Sequence, residues 1–139
     1  MATFNKFQDF IEQLGKGIHQ LHAGGHAFEV YLSNELPLAA DTMKSDIAEI
    51  TIENGYTGPL DIENDYTESG GTGTMTAVDK EWTALAGGFG PFQYVVIFNQ
   101  DTTAPVDALF CWFDYGSAIT CNEGEKFTVD FGTSLATFS

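Results

Sequence analysis

Arginine is absent from this chain, and only five lysines stand against 20 acidic residues in 139, a formal net charge of −15. Such a balance repels phosphate backbones and anionic membranes, so neither a nucleic acid nor a membrane is expected as a partner. Cysteine is scarce as well. Cys111 and Cys121 are the only two, fewer than a secreted scaffold built on disulfides normally carries. No apolar run approaches the roughly 20 residues of a membrane helix. The start, Met1-Ala2-Thr3-Phe4-Asn5-Lys6-Phe7, has no basic stretch leading into an uninterrupted apolar core. A secretory signal is therefore not expected, and synthesis in a cytoplasm is the default. There is no βαβ rhythm, no internal repeat and no linker that would divide the chain.

The fingerprints of catalysis are missing too. There is no Gly-x-Ser-x-Gly elbow and no phosphate-cradling glycine loop followed by lysine. Gly70-Gly71-Thr72-Gly73 has neither that lysine nor a following helix, and reads as a flexible turn. Carboxylate pairs carry no glycosidase signal here, because any fold of so acidic a chain brings some within several ångströms by chance. Both cysteines sit in apolar, acid-flanked segments without a neighbouring cation, a setting that raises a thiol pKa and disfavours a cysteine nucleophile. The chain is expected to be no enzyme and to need no cofactor.

What the chain does have is 43% hydrophobic and 14% aromatic residues with acids dispersed among them. That is the texture of one folded domain with an acidic surface. Its length allows roughly two-thirds of the unfolded surface to be buried. Phe4, Phe7, Ile11, Leu14, Ile18 and Leu21 recur at spacings of three and four, which predicts a helix over residues 4–21. Thr3 would cap it, and Gly24-Gly25 would end it. Residues 1–25 thus read as an N-terminal helix or arm, and 26–139 as a β-sandwich domain. So narrow a stripe serves either to pack on the domain or to dock on a neighbouring subunit.

From His26 onward short strands follow one another, with glycine-rich turns between them. Strands are expected at residues 27–32, 60–66, 74–78, 81–86, 92–98, 108–113, 118–121 and 127–131. The run Phe92-Gln93-Tyr94-Val95-Val96-Ile97-Phe98 is the strongest, and its near-continuous apolar character predicts cover on both faces. Ser45-Asp46-Ile47-Ala48-Glu49-Ile50 reads as one or two helical turns capped by Ser45. The pattern predicts a mainly β fold, an antiparallel β-sandwich or jelly-roll-like barrel with an N-terminal α-helix.

Three constellations merit weighing for chemistry. His19, His22 and His26 have spacings that could share a helix face and bind zinc, but Gly24-Gly25 interrupt the helix, and histidines also suit a helix C-terminus electrostatically. Asp61, Glu63 and Asp65 alternate on a strand, about 6.5–7 Å apart. Tyr66 stands where a calcium loop needs glycine, so a solvated strand face with Ile62 and Asn64 opposite is the simpler reading. Cys111 and Cys121 flank Asp114-Tyr115-Gly116-Ser117, and a hairpin near Gly116 would bring them together as a disulfide or half a metal site. Two buried thiols are the simpler alternative. No metal is expected. Among the aromatics, Trp112 reads as core, and Trp82, between Glu81 and Thr83, as an exposed anchor.

An N-terminal helical stretch comes first, then a strand ending in Ser33-Asn34. Ser45-Asp46-Ile47-Ala48-Glu49-Ile50 leads to Asn54-Gly55-Tyr56-Thr57. Next come the strand Phe92 to Phe98, Trp112-Phe113-Asp114-Tyr115-Gly116, and Gly124-Glu125-Lys126-Phe127-Thr128-Val129-Asp130-Phe131. In this order they resemble small structural proteins encoded by tailed bacteriophages near their capsid genes. Gly58-Pro59-Leu60 departs from that pattern, where paired glycines would follow the tyrosine. The resemblance implies a capsid decoration (cement) protein or another virion component. It further implies a trimer docked on the major capsid protein at the capsid surface. The stripe Phe4, Phe7, Ile11, Leu14 and Ile18, with Trp82, would then supply the interface. A small carbohydrate-binding, lectin-like module on a tail or capsid surface is the alternative, with Trp82 or a tyrosine as stacking platform.

Overall fold

Two long strands organise the molecule, whose computed structural model describes residues 2–139. Strand β7 (Phe89–Thr103) turns directly into β8 (Val106–Cys121), and the two pair antiparallel along most of their length. Around them assembles a five-stranded antiparallel sheet. β1 (Thr3–Lys6) lies outside β8; β2 (Phe28–Ser33) and then the two-residue β3 (Leu60–Asp61) lie outside β7. A three-stranded sheet combines β4 (Asp65–Ser69), β5 (Thr72–Thr76) and β10 (Ala136–Phe138), while β6 (Lys80–Thr83) pairs with β9 (Lys126–Val129). The fold is mainly β, antiparallel and sandwich-like, and its sheets do not close into a barrel.

The apolar run in β7 works as its period of two requires. Val95 and Ile97 enter the main core with Val30, Leu32 and Trp82. Tyr94, Val96 and Phe98 face a second, smaller core with Phe7, Tyr31, Ile47 and Trp112. Both faces of the central sheet are therefore covered, as the sequence predicts. On β8, Cys111 pairs with Ile97 and Leu109 with Phe98, so Phe110 is the extra residue of a bulge. The bulge lets Phe110 and Cys111 both enter the main core.

The N-terminal segment departs from expectation. Residues 3–6 are strand, not helix, pairing with Asp114 to Cys111 of β8. The helix α1 spans only Gln8–Gly15. Thr3 begins β1 and caps nothing. Within α1 Phe10 enters the core, Leu14 packs half-buried against it, and Ile11 is exposed. The spacing of three and four was real, but it crossed a change of conformation at Phe7, so Phe4 and Ile11 do not continue one helical face. Phe7, Phe10 and Leu21 tie this segment into the same two cores.

Other differences are local. The expected strand over 60–66 breaks into β3 and β4 because Glu63 takes a left-handed conformation, φ +50°. Its alternation survives: Ile62 and Asn64 are buried, and Asp61, Glu63 and Asp65 are exposed. In place of turns capped by Ser45 there is one 3₁₀ turn, Lys44–Asp46. The Asp46 carboxylate accepts from the backbone N–H groups of Thr42 and Met43 at 3.0 and 3.1 Å. No hairpin forms at Gly116: β8 continues through an irregularity there, where Gly116 takes φ +83° and the pairing with β7 jumps from Tyr94–Asp114 to Phe92–Ile119, and both cysteines lie on that one strand. Gly70 and Gly71, both at positive φ, make the two-residue turn between β4 and β5. No helix among the described residues is long and apolar enough to cross a membrane.

Candidate functional site

The expected interface residues separate into two groups. Phe4 on β1 is 41% exposed, its ring edge-on to Phe113 at 5.6 Å between centroids. Ile11 is exposed, and Leu14 and Ile18 are half-buried. Phe7 is fully buried, stacked obliquely on Trp112 at 4.5 Å. Trp82 is not the exposed anchor its neighbours suggest: it is only 2% exposed, packs against Tyr56, and donates its indole N–H to the carbonyl of Gly58 at 3.1 Å. Flanking Glu81 and Thr83 suggested exposure, but on a strand they point to the opposite side from Trp82. Trp82 therefore offers no stacking platform.

Sequence reasoning overlooked the large apolar side chains on loops. Leu36 is 61% exposed, with Leu38 similarly bare. Their loop is not slack. Leu38 N–H donates to the Asp41 carboxylate at 2.8 Å, the Glu35 carboxylate accepts Ala48 N–H at 2.6 Å, and Gln8 N–H donates to Ala39 at 2.9 Å. A second pair, Ile52 and Leu85, lies on two loops joined by Leu85 N–H to the Asn54 carbonyl at 2.8 Å and by Asn54 Nδ2 to the Gly88 carbonyl at 2.9 Å. At Gly55 (φ +100°) these loops approach so closely that a Cβ would lie 2.0 Å from the Thr83 carbonyl oxygen. The only signal was one of composition: Leu and Ile standing beside Pro, Asn and Gly in irregular stretches.

The titratable groups are engaged in structure. Tyr56 donates to Glu49 at 2.5 Å and accepts the buried N–H of Leu32 at 3.2 Å. Lys44 pairs with that same Glu49 at 3.1 Å and lies 4.7 Å from the centre of the Tyr31 ring. Burial pushes both tyrosine hydroxyls well above their usual range. Burial likewise pushes the thiols of Cys111 and Cys121 up, and both are free. The acidic stretch is divided: Asp61 accepts Glu63 N–H at 2.7 Å, Glu63 pairs with Lys80, and Asp65 accepts Ala23 N–H at 3.1 Å.

The histidines meet around one buried amide. Asn99 Nδ2 lies 3.0 Å from Nδ1 of His19 and 2.9 Å from Nδ1 of His26. His22 is exposed and apart from this cluster. His19 is buried between the rings of Phe10 and Phe28, and that burial, reinforced by His26, lowers its pKa to about 4. Among the described residues no three His, Cys, Asp or Glu side chains are arranged to hold a metal. Comparison with protein-family models, with curated proteins and with solved structures returns no match to this chain.

Proposed function

We propose that this chain is a non-enzymatic structural protein of a tailed-bacteriophage virion, a capsid decoration (cement) protein that stabilises the head lattice. It docks on the major capsid protein at the capsid surface and self-associates as a trimer. The observation that carries this reading is the display of Leu36, Leu38, Ile52 and Leu85 on loops held by hydrogen bonds. Scattered apolar side chains are ordinary on any surface. These are large, and hydrogen bonds already order the backbone of the loops that carry them, so burying them loses little further backbone entropy. Phe4 and Ile11 add exposed apolar area on the N-terminal segment. The resemblance of the ordered strand and turn signatures to phage structural proteins supports the same reading. A charge of −15 suits a particle surface, since it limits adhesion to nucleic acid and to other particles.

The test is the copy number of the protein in purified particles of the encoding phage, by quantitative mass spectrometry against the major capsid protein. Lattice decoration predicts a ratio near unity. A few copies per particle would relocate it to the tail or portal vertex, and absence would overturn the virion assignment.

A further inference from the structure

Residues 17–27 form an irregular segment between α1 and β2, and two buried asparagines hold it in place. Asn64 Nδ2 donates to the carbonyls of Leu21 and His26 at 2.8 and 3.1 Å, and its Oδ1 accepts Phe28 N–H at 3.1 Å. Those bonds do not change with pH. The contact at Asn99 does. Asn99 is fully buried, and its Oδ1 accepts the backbone N–H of Asp101 at 3.0 Å, which fixes the orientation of the amide. The NH₂ group is thus the donor toward both rings, so each imidazole accepts at Nδ1 and keeps its proton on Nε2. For His19 this tautomer is costly, because its buried Nε2 has no partner. Asn99 holds the segment by two bonds, each of which exists only while its own ring is neutral at Nδ1.

We propose that His19, His26 and Asn99 form an acid-released latch that fastens residues 17–27 to β7 at neutral pH and lets them go as the imidazoles take up protons. A proton arriving at either Nδ1 turns that acceptor into a donor facing the Asn99 NH₂ group. Rotating the amide would offer Oδ1 instead, but would set the NH₂ group against Asp101 N–H. The site has no second arrangement that satisfies everyone. Release would take away the wall that His19, Gln20, Leu21 and His22 give to a depression of about 410 Å³, baring Leu14, Tyr66 and Phe138 and, beside them, the covered ring of Phe10.

The charged and titratable groups around the latch come from four places. His22 lies on the segment itself, Asp101 follows Asn99 on β7, and Asp61 and Glu63 share the depression beside His26. Asp65 on β4 faces His22, and Tyr66 lines the cavity beside His19. Asp101 and Asp65 also hold the segment, accepting from Ala27 N–H at 2.7 Å and Ala23 N–H at 3.1 Å. Backbone donors hold Asp65 below the usual carboxylate range, so its contact outlasts the histidines as pH falls. The sign follows from His19. Its pKa is lowered in the folded state, so the stabilisation is complete above about 6.5 and is lost as pH falls toward about 4.

Native-state hydrogen exchange at pH 7.5 and 5.0, corrected for intrinsic rates, reads the latch directly. The amides of residues 18–27 should lose protection by roughly 30-fold at pH 5.0, the value linkage gives for a single site shifted from 6.5 to 4. Those of Val95 to Ile97 on β7 should keep theirs. Asn99→Asp should abolish or reverse the loss, since a carboxylate accepts from protonated imidazoles. Equal protection of the segment at both pH values, parallel loss in β7, or an unchanged loss in Asn99→Asp would each overturn the proposal. Should that variant fail to fold, ¹⁵N spectra of wild-type imidazoles at pH 7.5 decide alone: the latch requires both rings protonated on Nε2, and an Nδ1-protonated ring at either position refutes it.

Discussion

Glu29 on β2 and Asp61 on β3 stand directly opposite one another, two carboxylates in register at the edge of the five-stranded sheet. Partial burial raises the pKa of Glu29, and Asp61, Asp107 and Asp101 push it the same way, with Lys44 opposing. A raised folded-state pKa means that the protonated form fits the fold better, so the ionised pair destabilises at neutral pH. Glu29→Gln should raise thermal stability at pH 7 by a few tenths of a kcal/mol to about 1 kcal/mol. The gain should fade below the carboxylate range and shrink in high salt, in melting curves collected across pH and ionic strength.

Tyr56→Phe removes a hydroxyl that serves two neighbours at once. Leu32 N–H would be left buried without an acceptor, and Glu49 would keep only Lys44. A loss of about 1–3 kcal/mol is expected from the stranded donor. A urea titration that left the midpoint unchanged would show that water replaces the hydroxyl.

Trp82→Ala and Leu85→Ser should behave oppositely although the two residues are close in sequence. The first opens a cavity in the main core and strips the Gly58 carbonyl of its donor, for a loss of about 3–5 kcal/mol. The second touches an exposed side chain and should stay within about 0.5 kcal/mol of the parent. If the loops dock on the capsid, Leu85→Ser combined with Leu36→Ser will lower particle occupancy while leaving the melting temperature near that of wild type.

Neither thiol should react with a disulfide reagent in the native protein at pH 7.5. Cys111 is fully buried, and Cys121 nearly so, with Glu125 adding to the effect of burial. Both should titrate in denaturant, with Cys121, at the end of β8, the first to respond at intermediate concentrations. Rapid native labelling of Cys111 would mean that the β7–β8 pairing opens far more readily than its burial implies.

Strands announced themselves where period-two burial applied to long stretches, as in Phe92 to Phe98, and the mainly β, antiparallel class followed from them. What could not be read was anything set by a distant partner. Thr3 to Lys6 become strand because β8 offers a free edge, which overrides a helical spacing that spans Phe4 to Leu21. Trp82 is buried because β9 pairs with β6 and the main core lies beneath. The Asn99 cluster joins residues 80 and 73 positions apart. The three histidines were visible as a group, but nothing local pointed to the amide between two of them. Glu63 misled in a different way, since its left-handed backbone breaks a strand without disturbing the alternation of exposure.

Because β7 feeds alternate side chains into two separate cores, it has no idle side between Tyr94 and Asn99. On a half-exposed strand, every second position tolerates polar change. Here a one-residue slip would exchange Val95 and Ile97 for Tyr94, Val96 and Phe98 and misfit both compartments at once. The strand is thus proofread from both directions. Sequence variation in relatives of this chain should accumulate in its loops and edge strands, with residues 94–99 changing only alongside compensating partners in both cores.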